Sequence, residues 1–356
     1  MSLPMHDPAL QALSLPLLDP ALPLPARPRV LLLRGRAGAG LDALRAARPD
    51  LQLTAEQGFR PFAAALEAQG WNTTTSAAGE FDAVLVLPPR QRSEVRGLLV
   101  RALEHAADDA LIVASAANNE GAGALQTDVE RLFGTAHSLS KHKCRVLWLR
   151  RGEARVDAAL ARQWQAEDAP QPIAGGRFLS RPGVFAWDRI DTASALLAAR
   201  LPADLAGQGA DLGAGYGYLS CEVMQRCEQV TSLHLYEAEL RALELARLNL
   251  QRAAAQLGRA PPALEFRWHD VALGLDAQFD FVVTNPPFHQ GRADLPELGQ
   301  AFVRAAARAL RPAGRLLLVA NRHLPYEQTL AAHFSSVAVL ADEQGFKVIH
   351  AREPRP

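Results

Sequence analysis

Short apolar runs alternate with stretches of helical periodicity along the first half of the chain. The runs VLLLRG (30–35), FDAVLVL (81–87) and ALIVAS (110–115) have the length and continuity of strands buried on both faces of a sheet. Alanine-rich stretches with helical spacing lie between them, near 56–69 and 91–107. This alternation predicts an α/β fold in which helices cover a parallel sheet.

The second half repeats this rhythm, but its predicted strands end in polar residues. GADLGAGYGYLS (209–220) contains a glycine-rich turn after a predicted strand. The strands predicted in SLHLYEAE (232–239) and LEFRWHD (264–270) end in acids, and FDFVVTNPPF (279–288) enters a Pro-Pro turn. The carboxyl ends of such strands form the ligand-binding edge of a doubly wound sheet. We therefore expect the chemistry at this edge.

The two halves match one another in three segments that occur in the same order. FDAVLVLPPR matches FDFVVTNPPF, ALIVAS matches RLLLVA, and LFGTAHSLSKHKCRVLWLR matches HFSSVAVLADEQGFKVIHAR. This pattern indicates an internal duplication. The second half has Asn285 where the first has Leu87, and Asp211 where the first has an apolar or basic residue in RGRAGAG. We therefore expect only the second copy to carry out chemistry.

Local composition predicts four segments. Residues 1–28 are rich in Leu and Pro, and their spaced prolines predict an extended arm that lies on a domain. The first domain is expected at 29–165 and the second at 185–356. The residues between them, 166–184, have the Pro and Gly density of a linker.

The overall composition excludes several classes of protein. The chain has 356 residues, 38 basic and 38 acidic, and 49% of them are apolar, which suits two folded domains and excludes global disorder. No apolar run approaches the ~20 residues that span a membrane. The N-terminus lacks the basic start of a secretory signal. Cys144, Cys221 and Cys227 form no CxxC pair, so neither disulfides nor a metal site is predicted. We expect a reduced, cytoplasmic location.

The glycine-rich turn is the first candidate for ligand binding. Gly213, Gly215 and Gly217 permit a tight turn and let a ligand approach bare backbone. Glu237 lies 20 residues after Gly217, one βαβ step later, where a carboxylate binds both hydroxyls of a ribose. Dinucleotide-binding folds use the same acid, so these residues do not select one cofactor. An ordinary turn and an exposed helix-capping acid remain alternatives.

The turn N-P-P-F at 285–288 is more specific. With it, the sequence resembles the class I S-adenosylmethionine-dependent methyltransferases that methylate exocyclic or amide nitrogens. The resemblance implies two tandem Rossmann-like methyltransferase domains, of which the N-terminal one is degenerate, and S-adenosyl-L-methionine as cofactor. It implies that the catalytic turn consists of Asn285, Pro286, Pro287 and Phe288. It also implies a cofactor site of Asp211, Gly213, Gly215, Gly217, Glu237, Asp270 and Asn285.

The chemistry explains why these residue types are needed. An exocyclic amine is a poor nucleophile because its lone pair is delocalised into the ring. The side-chain oxygen of Asn285 and the carbonyl of Pro286 can each accept one amino hydrogen, which directs the lone pair at the methyl group. The two prolines stiffen the turn, and Phe288 offers a face for base stacking. Asp270 falls where the family binds the adenine amino group; a surface acid before a turn is its alternative.

Longer segments narrow the resemblance. PGVFAWDRIDTASALL, NPPFHQG, VANRHLPYE and GFKVIHAR together resemble the bacterial ribosomal RNA guanine-N2 methyltransferases. This implies a guanine in 16S ribosomal RNA as the methyl acceptor, with ribosomal RNA or the small ribosomal subunit as partner. The 23S enzymes share NPPFHQ and NRHL and remain an alternative. A non-catalytic RNA-binding assembly protein is the alternative of another class, against which the intact Asp211, Glu237 and Asn285 argue.

Zero net charge means that RNA must be held by local basic patches. One cluster without acids spans eleven residues: Lys141, His142, Lys143, Arg145, Arg150 and Arg151. It is compatible with a phosphate-binding surface or with an exposed strand edge. Four further residues follow strands of the second half and could contact substrate or serve structure: His289, Arg292, Arg322 and His323.

Overall fold

The computed structural model describes residues 7–287, 289–290, 293–294 and 296–355, and residues 289, 290, 293 and 294 by backbone alone. The chain divides into two units. The first extends to Ala169 and includes Arg181–Gly183, and the second comprises Pro170–Ser180 and the residues from Val184 onward. The division falls within 166–184, where a linker was predicted.

The first unit is built around a mixed sheet. Its strands are β1 (Arg29–Leu33), β2 (Gln52–Glu56), β3 (Asn72–Thr74), β4 (Phe81–Val86), β5 (Ala106–Ala117), β6 (His137–Lys141) and β7 (Cys144–Arg150). Its α-helices are α1 (Pro8–Leu13), α2 (Leu15–Leu18), α3 (Ala39–Ala47), α4 (Arg60–Ala68), α5 (Arg92–His105), α6 (Ala122–Phe133) and α7 (Ala158–Asp168), and residues Arg151–Glu153 form a 3₁₀ turn. The strand order is β3-β2-β1-β4-β5-β7-β6, with β7 antiparallel to both of its neighbours and the other pairs parallel.

The second unit has a sheet of the same kind and two short hairpins. Its strands are β8 (Gln171–Ile173), β9 (Phe178–Ser180), β10 (Ala206–Leu212), β11 (Gln229–Glu237), β12 (Ala263–Trp268), β13 (Phe279–Thr284), β14 (His289–Gln290), β15 (Ala293–Asp294), β16 (Leu310–Asn321), β17 (Phe334–Glu343) and β18 (Phe346–Pro354). Its α-helices are α8 (Thr192–Ala199), α9 (Tyr218–Arg226), α10 (Leu240–Ala255), α11 (Pro296–Ala309) and α12 (Glu327–His333), with 3₁₀ turns at Ala174–Gly176 and Val271–Leu273. The order β12-β11-β10-β13-β16-β18-β17 repeats that of the first unit.

The equal strand order confirms the predicted duplication and the two Rossmann-like folds. Both sheets have the same register irregularity, between Phe81 and Ala83 in β4 and between Phe279 and Phe281 in β13. In each unit the central strands are buried, and successive side chains of β1 enter different apolar clusters on the two faces of its sheet. Burial on both faces explains why these strands are continuous apolar runs in the sequence.

Strand register identifies the residues that correspond in the two units. Leu85 in β4 corresponds to Val283 in β13 in the matched segments. Leu32 pairs with Leu85, and Asp211 pairs with Val283. The counterpart of Asp211 is therefore Leu32, two residues before the segment RGRAGAG in which we expected it. A buried leucine thus occupies the place of the buried acid.

The predicted extended arm at 1–28 is wrong for residues 8–13 and 15–18, which form α1 and α2. Both helices place a proline in their first turn, where the missing N–H needs no partner. Asp7 caps α1 by accepting hydrogen bonds from the N–H groups of Ala9 and Leu10, both at 3.1 Å. Apolar side chains of both helices, including Leu10 and Leu17, are buried in the core of the first unit. This segment is therefore part of the fold.

Helix α1 corresponds to α8 of the second unit. Each helix precedes the first central strand of its sheet and begins after an aspartate cap, Asp7 or Asp191. Helix α1 packs on β5, β7 and α3, and α8 packs on the corresponding β16, β18 and α9. The duplicated unit therefore begins before the central strand, at a capped helix.

Candidate active site

The glycine-rich turn leaves β10 and enters α9. Gly213, Gly215 and Gly217 have φ values of 71°, 55° and 87°, a left-handed region that favours glycine. A Cβ atom on Gly217 would lie 2.6 Å from Leu250 Cδ1 and 3.1 Å from Ala246 Cα, so helix α10 packs directly on this backbone. The turn thus requires glycine for conformation and for packing.

Asp211 lies on β10 and is 1% exposed. Its Oδ2 accepts hydrogen bonds from the N–H group of Ser220 at 3.1 Å and from Ser220 Oγ at 2.7 Å. Its Oδ1 is buried and has no hydrogen-bond partner within the described part of the chain. Burial is the main reason that the pKa of this carboxyl rises to about 7. Sequence reasoning missed Ser220, whose only local signal is its place in the first turn of α9.

Glu237 ends β11, the strand beside β10. Its Oε2 accepts a hydrogen bond from the N–H group of Gly215, and its Oε1 accepts one from the N–H group of Glu239, both at 2.8 Å. Burial raises the pKa of this carboxyl above its usual range. The acid therefore binds the glycine-rich turn directly.

Asp270 follows β12, the next strand along the sheet. Its Oδ1 accepts a hydrogen bond from the N–H group of Ala272 at 3.0 Å and so caps the 3₁₀ turn at Val271–Leu273. Strands β10, β11, β12 and β13 are parallel neighbours. Asp211, Glu237, Asp270 and Asn285 therefore lie at or near the carboxyl edge of one sheet, as the sequence predicted.

Asn285 directly follows β13. Its Nδ2 donates hydrogen bonds to Asp191 Oδ2 at 3.0 Å and to Ser194 Oγ at 2.9 Å. Thr284, the residue before Asn285, is tied to the neighbouring strand β10, because its Oγ1 donates a hydrogen bond to the carbonyl of Leu212 at 2.7 Å. Sequence reasoning missed Asp191 and Ser194 as site residues, although both lie in the segment DRIDTASALL that carried the resemblance.

Two prolines follow Asn285 in the predicted turn. Pro286 is buried and Pro287 is half-buried beside Asn285. Phe288 lies outside the described residues, and so does Arg292. For His289 only the backbone is described.

The structure divides the predicted basic cluster. Lys141, His142 and Lys143 are exposed at the turn between β6 and β7, where the last two have positive φ. In contrast, Arg145 donates to Gln126 Oε1 at 2.7 Å, and Arg150 donates to the carbonyls of Pro23 at 2.6 Å and Asp109 at 3.0 Å. The turn is therefore open to a ligand, whereas Arg145 and Arg150 are engaged within the unit and Arg151 is half-buried. In the second unit His323 is exposed, and Arg322 binds Asp342 at 2.6 Å.

At the places of Asp211, Glu237 and Asn285, the first unit has neither an acid nor an asparagine. Glu56 pairs with Leu33 at the end of β1, and Gln57 comes next. Tyr236 pairs with Leu212 at the end of β10, and Glu237 comes next, so Gln57 occupies the place of Glu237. Its Oε1 accepts a hydrogen bond from the N–H group of Phe59 at 2.8 Å, which repeats the contact between Glu237 and Glu239. A neutral amide thus replaces the acid while the local fold is kept. Leu32 and Leu87 replace Asp211 and Asn285.

Neither a metal nor a membrane segment is evident in the described part of the chain. Among those residues no group of three or more His, Cys, Asp or Glu side chains is arranged to hold a metal ion. No helix described here is long and apolar enough to cross a membrane. The three cysteines are buried and unpaired, and burial raises the pKa of the Cys221 thiol to about 12.

Comparison with known proteins agrees with this geometry. The family model described as the methyltransferase small domain matches residues 175–350. Ribosomal RNA small subunit methyltransferase C from Shewanella pealeana is 27% identical over 75% of this chain and 76% of its own length. The protein of the same name from Hahella chejuensis is 35% identical over 53% of each chain.

A solved structure covers nearly the whole chain. The 16S rRNA N2 methyltransferase of T. thermophilus, in complex with AdoMet and guanosine, has a TM-score of 0.76 at 26% identity. The match covers 98% of this chain and 92% of that one. The protein described here is therefore an S-adenosylmethionine-dependent methyltransferase that is similar, over most of its length, to the ribosomal RNA small subunit methyltransferase C proteins.

Proposed function

We propose that this protein transfers the methyl group of S-adenosylmethionine to the exocyclic N2 amine of a guanine in 16S ribosomal RNA. The main observation is the geometry of Asn285, whose amide nitrogen is engaged by Asp191 and Ser194. Its oxygen remains to accept a hydrogen from the acceptor amine. The T. thermophilus relative, solved with AdoMet and guanosine, supports both the cofactor and the acceptor. A ribosomal RNA substrate in turn favours action in the cytoplasm.

The chemistry of the carboxyl edge fits S-adenosylmethionine. This cofactor carries an ammonium group, a sulfonium, two ribose hydroxyls and an adenine amine, which are cationic or hydrogen-donating. The edge offers three acids, and Asp211 Oδ1 is a buried acceptor still without a partner among the described residues. In our proposal Glu237 binds the ribose hydroxyls and Asp270 binds the adenine amine. Asp211 and the glycine-rich turn bind the rest of the cofactor. The bound cofactor supplies an activated methyl group.

The protein's own contribution is to hold the acceptor. Asn285 Oδ1 and the carbonyl of Pro286 each accept one amino hydrogen, so the nitrogen lone pair points away from the ring plane. No strong base is needed before the transfer, because the leaving group would be the neutral thioether S-adenosylhomocysteine and the methylated nitrogen would lose its extra proton to solvent afterwards. Positioning supplies most of the rate. A guanine in a duplex hides its amine from a bulky donor, so it must be unpaired or flipped out.

Methylation of defined RNA substrates tests this function. The protein and S-adenosylmethionine would be incubated with undermethylated 30S subunits, 50S subunits and naked RNAs, and the product mapped by mass spectrometry. We expect N2-methylguanine in 16S RNA. Modification confined to 23S RNA would favour the large-subunit alternative. Cofactor binding without any transfer would favour the non-catalytic one.

We expect one cofactor site per chain, in the second unit. Leu32, Gln57 and Leu87 replace Asp211, Glu237 and Asn285 in the first unit, so the groups that attract a cationic ligand are missing there. Isothermal titration calorimetry should give a stoichiometry of one S-adenosylmethionine per chain. Two equivalent sites would contradict both this prediction and the proposed degeneracy of the first unit.

The exposed turn of Lys141, His142 and Lys143 is our candidate for holding RNA. Replacing Lys141, Lys143 and Arg145 by alanine should weaken RNA binding and reduce the log–log salt slope by roughly 0.7–0.9 for each lost phosphate contact. Lys141 and Lys143 should account for most of the loss, because Arg145 already binds Gln126. Cofactor affinity should stay unchanged.

Salt titrations of RNA affinity, run beside light scattering, check the role of this turn. Strand β6 lies at an edge of its sheet, where lysines also discourage pairing between molecules. A variant that keeps its salt slope but aggregates would show that the lysines only protect this edge.

A further inference from the structure

The amide group of Asn285 is held in one orientation by two acceptors. Its nitrogen lies 3.0 Å from Asp191 Oδ2 and 2.9 Å from Ser194 Oγ. A primary amide nitrogen has two hydrogens, so these contacts use its whole donor capacity. Among the described residues, nothing donates to its oxygen.

The charge of Asp191 is what forbids the reverse orientation. An ionised carboxylate only accepts hydrogen bonds, so a rotated amide would place two acceptor oxygens against each other. Asp191 is itself fixed, because the same Oδ2 accepts the N–H group of Ser194 at 2.8 Å and caps α8. Buried side chains of α8, among them Ala193 and Leu197, anchor the helix in the core.

The first unit provides an internal comparison. Its equivalent cap, Asp7, also holds the first turn of a helix, but its Oδ2 forms an ion pair with Arg36 at 2.9 Å. Leu10 occupies the third position after the cap, where the second unit has Ser194. Leu87 replaces Asn285. The fold therefore needs the aspartate cap but not the contacts to an asparagine amide.

We propose that Asp191 and Ser194 are positioning residues that lock the Asn285 amide with its oxygen toward the acceptor. This proposal rests on the proposed methyl transfer to an amine. A locked oxygen selects a group that donates hydrogen, such as the N2 amine of guanine, and repels a ring carbonyl. The pair therefore sets both the alignment of the amine and the choice of acceptor atom.

The variant Asp191→Asn tests the lock and keeps the helix cap, because asparagine is also a good N-cap. Its side-chain nitrogen could donate to Asn285 Oδ1, so the amide could rotate. We expect kcat to fall about 10- to 100-fold, with an unchanged KM for S-adenosylmethionine and an unchanged melting temperature. Ser194→Ala removes only the neutral acceptor and keeps the carboxylate, so it should lose only a few-fold in kcat. Native kcat in Asp191→Asn would overturn the proposal, as would a loss explained by weaker cofactor binding.

A second measurement separates this proposal from the proposed function. In protein labelled with ¹⁵N-asparagine, the side-chain NH₂ signals of Asn285 are identified by their loss in Asn285→Ala. We expect slow hydrogen exchange of these signals in the wild type and faster exchange in Asp191→Asn. A wild type that methylates no RNA would count against the proposed function, while this exchange would still decide the lock. Rapid exchange in the wild type would overturn it.

Discussion

Replacement of Asn285 by alanine is expected to reduce methyl transfer by about 10³-fold, the scale seen when one hydrogen-bonding group is removed from a reaction centre. In our proposal the nitrogen of this side chain fixes its oxygen through Asp191 and Ser194, and the oxygen holds the acceptor amine. Without that oxygen the amine is held by one acceptor and its lone pair is no longer directed. Single-turnover rates with 30S subunits would measure the loss.

Affinity for S-adenosylmethionine provides the control for this variant. We expect the Kd to stay within a few-fold of the wild type, because the acids and the glycine-rich turn are untouched. Turnover of Asn285→Ala at the native rate would refute the proposed role. A large loss of cofactor affinity would instead place Asn285 mainly in the cofactor site.

Replacement of Asp211 by asparagine is expected to weaken S-adenosylmethionine binding by roughly 10²-fold, since a hydrogen bond to a buried charged group would be lost. In the wild type the affinity should also depend on pH. The pKa of Asp211 is about 7 because the carboxyl is buried. A cationic ligand prefers the ionised form, so affinity should fall by up to about tenfold for each pH unit below 7 and stay constant above it.

Calorimetry between pH 5.5 and 8.5, in buffers of different ionisation enthalpy, would measure this linkage. Below pH 7 we expect binding to release a proton in the wild type, and less so in Asp211→Asn. Ser220→Ala is a useful companion, because it removes one donor to Asp211 Oδ2 and leaves the acid in place. A flat pH profile in the wild type would contradict the role given to this acid.

Local sequence determined the periodic parts of the fold. Continuous apolar runs predicted the central strands because both faces of each sheet are buried, and this is a property of a few neighbouring residues. The glycine-rich turn in DLGAGYG and the turn after FDFVVT were also predicted correctly, because each depends on a few neighbouring residues. Matching segments in the same order indicated the duplication, and the strand orders of the two sheets confirm it.

Only the tertiary structure decided which distant residues meet. Asp191 precedes Asn285 by 94 residues, and no local pattern specifies that contact. The spaced prolines of the N-terminal segment predicted an extended arm and concealed α1 and α2. The apolar side chains of these helices are explained only by the core that they fill. The split of the basic cluster likewise follows from Gln126 and the carbonyl of Pro23, which bind Arg145 and Arg150 across the fold. Short-range periodicity reports burial, whereas hydrogen bonds between distant side chains depend on how the strands and helices are packed together.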